Sequence, residues 1–125
     1  MKILIYVAVG GAIGSVCRYL LSKTTQSFLG LTFPVGTLVV NVVGSFLIGF
    51  LSVLILTKVA SFGGELRALL LIGLLGGFTT FSSFSLEVLE LWESGAGFKV
   101  ILYLFLTLVF CLCGTWGGLI LGRKL

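Results

Sequence analysis

The chain has 125 residues, 58% of them apolar and only 10% charged, with a mean hydropathy of +1.28. Soluble domains carry about 25% charged residues, so water is not the main solvent of this protein. Eight Lys and Arg against four acids give a formal charge of +4; the bases lie scattered at the ends of apolar runs, which excludes a nucleic-acid footprint. The chain has no His and no Asp. No Ser-Lys or paired-carboxylate arrangement supports hydrolysis, so an enzyme is not expected.

Four apolar runs recur, each long enough to cross about 30 Å of hydrocarbon at 1.5 Å per residue. The first span is predicted over about residues 3–21. Met1-Lys2 enters it directly and it ends without a small-x-small cleavage pattern, so it is read as a retained span and not a signal sequence. Ser22 to Ser27 then reads as a polar connection continuing to Pro34, where proline is tolerated at the first turn of a helix. The second span is predicted over 35–57, followed by a short loop from Lys58 to Glu65 that contains Gly63-Gly64. The third, over 66–92, is longer than one crossing requires, and the fourth covers 98–121 before Arg123-Lys124. One membrane domain, residues 1–125, accounts for the chain, with no internal repeat. Cys17, Cys111 and Cys113 fall within apolar segments without metal-ligand spacing and read as small packing residues.

Small residues four apart (Gly10 with Gly14, Gly73 with Gly77, Gly114 with Gly118 and Gly122) let helix backbones approach closely in lipid. A tight bundle is implied. With four spans, Lys2, Lys58, Arg67, Arg123 and Lys124 share one side, and Arg18, Lys23 and Lys99 the other. Five against three is a weak bias under the positive-inside rule. A chain so balanced can insert both ways up, which allows an antiparallel homodimer.

Polar groups at bilayer depth must be satisfied inside the protein or beside water. The deep ones are Asn41, the third-span hydroxyls Thr79, Thr80, Ser82, Ser83 and Ser85, and Thr107 and Thr115. Gly76-Gly77-Phe78-Thr79-Thr80-Phe81-Ser82-Ser83-Phe84-Ser85 places two glycines and five hydroxyls in mid-span. Adjacent glycines and hydroxyls that bond their own backbone both weaken a helix. Two outcomes stay open: a kinked helix with its hydroxyls bonded back to the ladder, or a broken helix whose freed carbonyls meet a partner or a cation such as Na⁺. Phe81 and Phe84, three apart, share a face, with Ser82 and Ser85 in a neighbouring row. Phenyl edges are electropositive, so these rings can line an anion path, or simply pack. Asn41 is interhelical glue or a pathway group. Arg18 either snorkels or concentrates anions at a pore mouth. Glu87 is the one acid plausibly within the third span, and in a chain without His it makes a poor proton relay.

The third-span motif from Gly76, the Gly36-Thr37 to Asn41 to Gly44 segment, and Gly10-Gly-Ala-Ile-Gly-Ser with Arg18-Tyr19 closely resemble the bacterial Fluc (CrcB) fluoride channels. The resemblance covers the length of the chain. It implies an all-α membrane protein of four transmembrane helices with a broken third helix, assembled as an antiparallel, dual-topology homodimer in the bacterial inner membrane. It implies two pores for passive, selective fluoride export, lined by Phe81, Phe84, Asn41, Thr80, Ser82 and Ser85, with Arg18 in the vestibule. It also implies a structural Na⁺ at the dimer interface, held by the backbone carbonyls of Gly76 and Thr79. The fourth span departs from the family's polar track, with Cys111, Cys113 and Gly114 where hydroxyls are often found; Thr107 and Thr115 lie nearby. The alternative is a small proton-coupled exporter. Such proteins depend on a glutamate in the first span, and this first span has no acid.

Overall fold

The computed structural model describes residues 1–30 and 32–125, and among these every regular element is helical. In chain order they are α1 (Lys2–Leu29), α2 (Val35–Lys58), a 3₁₀ turn (Ala60–Phe62), α3 (Gly63–Leu66), a π-helical stretch (Arg67–Leu75), α4 (Gly76–Phe78), α5 (Phe81–Glu93) and α6 (Gly97–Lys124). Four segments are long and apolar enough to cross a membrane: Lys2–Leu29, Val35–Lys58, Ala60–Glu93 and Gly97–Lys124. The protein is a multi-pass membrane protein.

The connections differ from expectation. Ser22 to Ser27 is helical, because α1 runs on to Leu29; loss of hydrophobicity marks where a helix leaves hydrocarbon, not where it stops. Gln26 fastens the turn beyond: its amide nitrogen donates to the Phe33 carbonyl (2.8 Å) and its oxygen accepts from Gly36 N–H (2.9 Å). Position 31 of the predicted connection lies outside the described residues. Lys58 to Glu65 is likewise not an open loop. Lys58 belongs to α2, and after Val59 the third segment begins at Ala60. Gly63 is helical, at φ −58° and ψ −35°, so a penalty of about 1 kcal/mol per helical glycine is overridden by its neighbours. The link between α5 and α6 is a tight reversal. Gly95, at φ 81°, donates to Trp92 O while Ala96 N–H donates to Leu91 O, a Schellman closure that needs a residue able to turn left-handed.

Packing follows the glycine rows. A Cβ on Gly10 or Gly14 would overlap the carbonyl oxygen of Leu69 or Leu74, and one on Gly49 or Gly118 would overlap that of Thr115 or Phe46. Residue numbers rise together along each row, Gly10 facing Leu69 and Gly14 Leu74, and Gly114 facing Val42, Gly118 Phe46 and Gly122 Phe50, so α1 runs parallel to the third segment and α2 parallel to α6, as four alternating crossings require. The core is small: Val40, Leu75 and Phe78, flanked by Leu21, Leu47, Leu51, Leu71 and Leu74. Most other large apolar side chains face outward. Lipid supplies no hydrophobic drive between helices, so backbone proximity at glycine does the joining.

Gly118→Ala therefore gains helix propensity, about 1 kcal/mol, but must push a rigid backbone aside, an overpacking cost of about 1–3 kcal/mol or more. Thermal unfolding in detergent should show net destabilisation. Gly117→Ala, with open space around the site, should be neutral or stabilising.

Candidate functional site

The site begins where helical winding lapses. Thr79 (φ −82°, ψ 157°) and Thr80 (φ −151°, ψ 118°) are extended between α4 and α5. Thr80 N–H, which an uninterrupted helix would aim at the Gly76 carbonyl, donates to Asn41 Oδ1 (2.9 Å), and Asn41 Nδ2 donates to the Thr80 carbonyl (2.9 Å). A side-chain amide thus pairs with both backbone groups of one residue, as a neighbouring strand would. Both residues are buried, each 9% exposed, so each bond replaces water that is not there. Asn41 retains one amide hydrogen for another acceptor.

Thr80 also starts the next helix. Its Oγ1 accepts from Ser83 N–H (3.1 Å), an N-cap contact, and lies 3.2 Å from both Ser82 Oγ and Ser83 Oγ. The Thr79 hydroxyl donates back to Leu75 O (2.9 Å) and that of Ser85 to Phe81 O (3.0 Å). Gly44 makes the approach possible, because a Cβ there would overlap Thr79 Cγ2.

Two cavities meet at Thr80. One, about 520 Å³, is polar and includes Arg18, Lys23, Thr37, Ser83 and Glu87 in its wall. The other, about 560 Å³, is an apolar groove lined by Asn41, Thr79, Phe81, Phe84, Thr107 and Cys111 among others. Arg18 thus lies on the first cavity, Asn41, Thr79, Phe81 and Phe84 on the second and Thr80 on both, whereas Ser82, Ser85 and Gly76 line neither. Phe81 is 77% exposed and Phe84 only 9%, their rings 5.5 Å apart and tilted at 55°. Phe84 meets Tyr103 edge to face (5.0 Å), and Tyr103 meets Phe33 in the same way (5.4 Å). Thr107 Oγ1 is a buried atom without a hydrogen-bond partner among the described residues.

Glu87 is fixed at both oxygens. Thr37 Oγ1 donates to Oε1 (2.6 Å) and Tyr103 Oη to Oε2 (2.6 Å), short distances typical of hydroxyls on a carboxylate. Nothing in the sequence distinguishes Tyr103, since a tyrosine in an apolar run carries no signal; its partner lies 16 positions away. In the sequence Ser83 is one hydroxyl among five, and its place on the polar cavity follows from α5 restarting at Phe81.

For a cation, the described residues contain no group of three His, Cys, Asp or Glu. Backbone oxygen is the donor on offer. The Gly76 carbonyl has lost its helical acceptor role to Asn41, and the nearest atom to a Cβ on Gly76 would be Leu71 O at 4.0 Å, so this stretch has room beside it. A hard, oxygen-seeking ion suits such donors.

Together these features define a class: a small multi-pass helical membrane protein with a polar discontinuity at mid-span that borders two cavities. The family model for "CrcB-like protein, Camphor Resistance (CrcB)" matches residues 5–119. The chain is 47% identical over 125 residues, the whole of both chains, to a protein of Aquifex aeolicus named "Fluoride-specific ion channel FluC". A protein of the same name from Agrobacterium fabrum is 50% identical over 119 residues, 95% of this chain and 94% of its own length. One from Methylococcus capsulatus is 47% identical over 119 residues, 95% of this chain but 52% of that longer protein. The chain belongs to the CrcB family.

Asn41→Leu should cost about 2–6 kcal/mol, because it orphans a buried N–H and C=O at about 1–3 kcal/mol each, read as a fall in unfolding temperature in detergent. Thr37→Val and Tyr103→Phe should be non-additive through Glu87, with a coupling of at least about 0.5 kcal/mol in a double-mutant stability cycle.

Proposed function

We infer that this protein is a fluoride-selective channel of the bacterial cell membrane, letting fluoride leave the cytoplasm passively and so limiting its toxicity. The single observation that carries this reading is full-length similarity to proteins named fluoride-specific ion channels, in Aquifex aeolicus across all 125 residues. The site is consistent with it. Arg18 and Lys23 on the polar cavity raise the local concentration of an anion without trapping it in mid-membrane. Fluoride is small and strongly hydrated, so its water must be replaced by several donors. The free amide hydrogen of Asn41, the hydroxyls of Thr80, Ser83 and Thr107, and the ring edges of Phe81 and Phe84 supply weak, distributed donors, a set that favours passage over capture. The row of Ser82 and Ser85 is assigned to the same path in the assembled channel.

The assembly we propose is an antiparallel, dual-topology homodimer, supported by the near-balanced distribution of Lys and Arg and by the exposure of Phe81 on an open groove. The third helix acts as a broken helix, its break placed at the dimer centre. The carbonyls of Gly76 and Thr79 would hold a structural Na⁺ there. That ion would offset the partial negative charge of carbonyls left outside a helical ladder. A proton-coupled exporter is not favoured, since Lys2–Leu29 contains no acid.

Liposomes loaded with fluoride and reconstituted with the protein should release it rapidly to an electrode, with chloride far slower. Absent fluoride release, or chloride release at the same speed, would overturn the reading. Phe81→Ile should slow fluoride about tenfold, the upper worth of one aromatic contact at about 1.5 kcal/mol, while the dimer persists on gel filtration. Replacing Na⁺ by a bulky organic cation should lower the unfolding temperature. In a cysteine-free background, single-cysteine copies of opposite orientation should cross-link.

A further inference from the structure

A third cavity, about 660 Å³, lies at the opposite end of the bundle from Arg18, between the last turns of α2 and the start of the third segment. Ile48, Ile55, Leu56, Leu71 and Ile72 give it an apolar wall, and Arg67 and Ser52 its polar contribution. We propose that this cavity binds an anionic phospholipid, the phosphate on Arg67 and an acyl chain along the aliphatic wall.

Three observations support it. The first is depth. The third segment has 34 residues, about 50 Å of helix against roughly 30 Å of hydrocarbon. Arg67, seven residues past Ala60, the first residue of the segment, stands about 10 Å in, near the headgroup boundary.

The second is charge. The end of the bundle that holds both termini and the link from α2 to the third segment carries Lys2, Lys58, Arg67, Arg123 and Lys124 against Glu65 alone, whereas the other end balances Arg18, Lys23 and Lys99 against Glu87, Glu90 and Glu93. Glu65 is two residues from Arg67, and residues two apart on a helix do not face each other. It lines a separate cavity with Tyr6, Phe62, Leu66 and Leu69. Arg67 is exposed, so its guanidinium is available to a phosphate, which it can hold through two parallel hydrogen bonds.

The third is space. Gly63 and Gly64 line the cavity, and a Cβ on either would meet nothing within 4 Å. Their missing side chains leave volume beside Arg67 that packing within the subunit does not use.

The test is native mass spectrometry of the detergent-solubilised full chain, titrated with dioleoyl phosphatidylglycerol or dioleoyl phosphatidylcholine. Phosphatidylglycerol should be retained preferentially. Arg67→Gln should weaken its retention about fivefold, the effect of one basic residue at a membrane surface, and should leave phosphatidylcholine unchanged. Gly63→Leu, which fills the cavity at an unstrained helical position, should weaken it as well, so the proposal does not rest on one variant's folding. Lys99→Gln, at the other end, should have no effect. Equal retention of the two lipids, the same loss from Lys99→Gln as from Arg67→Gln, or full competition by glycerol phosphate without acyl chains would each overturn the proposal. So would failure of the wild-type protein to retain either lipid, which would point to a second copy of the chain covering the cavity.

Discussion

A peptide bond inside a bilayer has no water to fall back on, and the pairing of Asn41 with the Thr80 peptide is where this protein meets that constraint. Thr79 and Thr80 leave the helical ladder at a depth where each unsatisfied polar group costs several kcal/mol. Asn41 takes both hydrogen-bonding groups of Thr80 at 2.9 Å, and the Thr80 hydroxyl then caps the helix that resumes at Phe81. The discontinuity is tolerated because one side chain from α2 repairs it. Placing Asn41 there requires α2 to approach closely, and Gly44, one turn on, leaves room for the Thr79 methyl group.

The consequences spread from that point. Because the helix restarts at Phe81, Ser83 and Glu87 turn toward the polar cavity, while Phe81 and Phe84 turn toward the groove. Thr80 forms part of both walls. Glu87 is held by hydroxyls from α2 and α6, so three of the four crossings converge on one carboxylate. Tyr103, fully buried, continues that contact into an aromatic series with Phe33 and Phe84. The site is a shared product of α2, α5 and α6, and α1 contributes Arg18 and Lys23 at its mouth.

The glycine rows give the scaffold its stiffness. Helices in lipid gain little from burying apolar surface against one another, and the subunit's core is correspondingly small. Carbonyl oxygens of one helix lie where Cβ atoms of the next would stand, at Gly10, Gly14, Gly49 and Gly118. The π-helical stretch Arg67–Leu75 is the surface against which Gly10 and Gly14 pack, so the element that leads into the discontinuity is also the one most closely held by α1.

The sequence by itself determined the solvent, the number of crossings, the family and the residue types at the site, because each depends on composition, on segment length or on a local motif from Gly76 to Ser85. Helix ends were less legible. Ser22 to Ser27 lost hydrophobicity without losing helicity, and Gly63-Gly64 stayed helical despite its propensity, since neighbouring structure outweighs about 1 kcal/mol per glycine. Only the tertiary structure decided which hydroxyls reach a cavity, that Asn41 pairs with Thr80, 39 positions away, and that Tyr103 and Thr37 close on Glu87. Those outcomes depend on the rotation of each helix about its own axis. That rotation is fixed where glycine backbones touch other helices, and it cannot be read from the order of residues within any one of them.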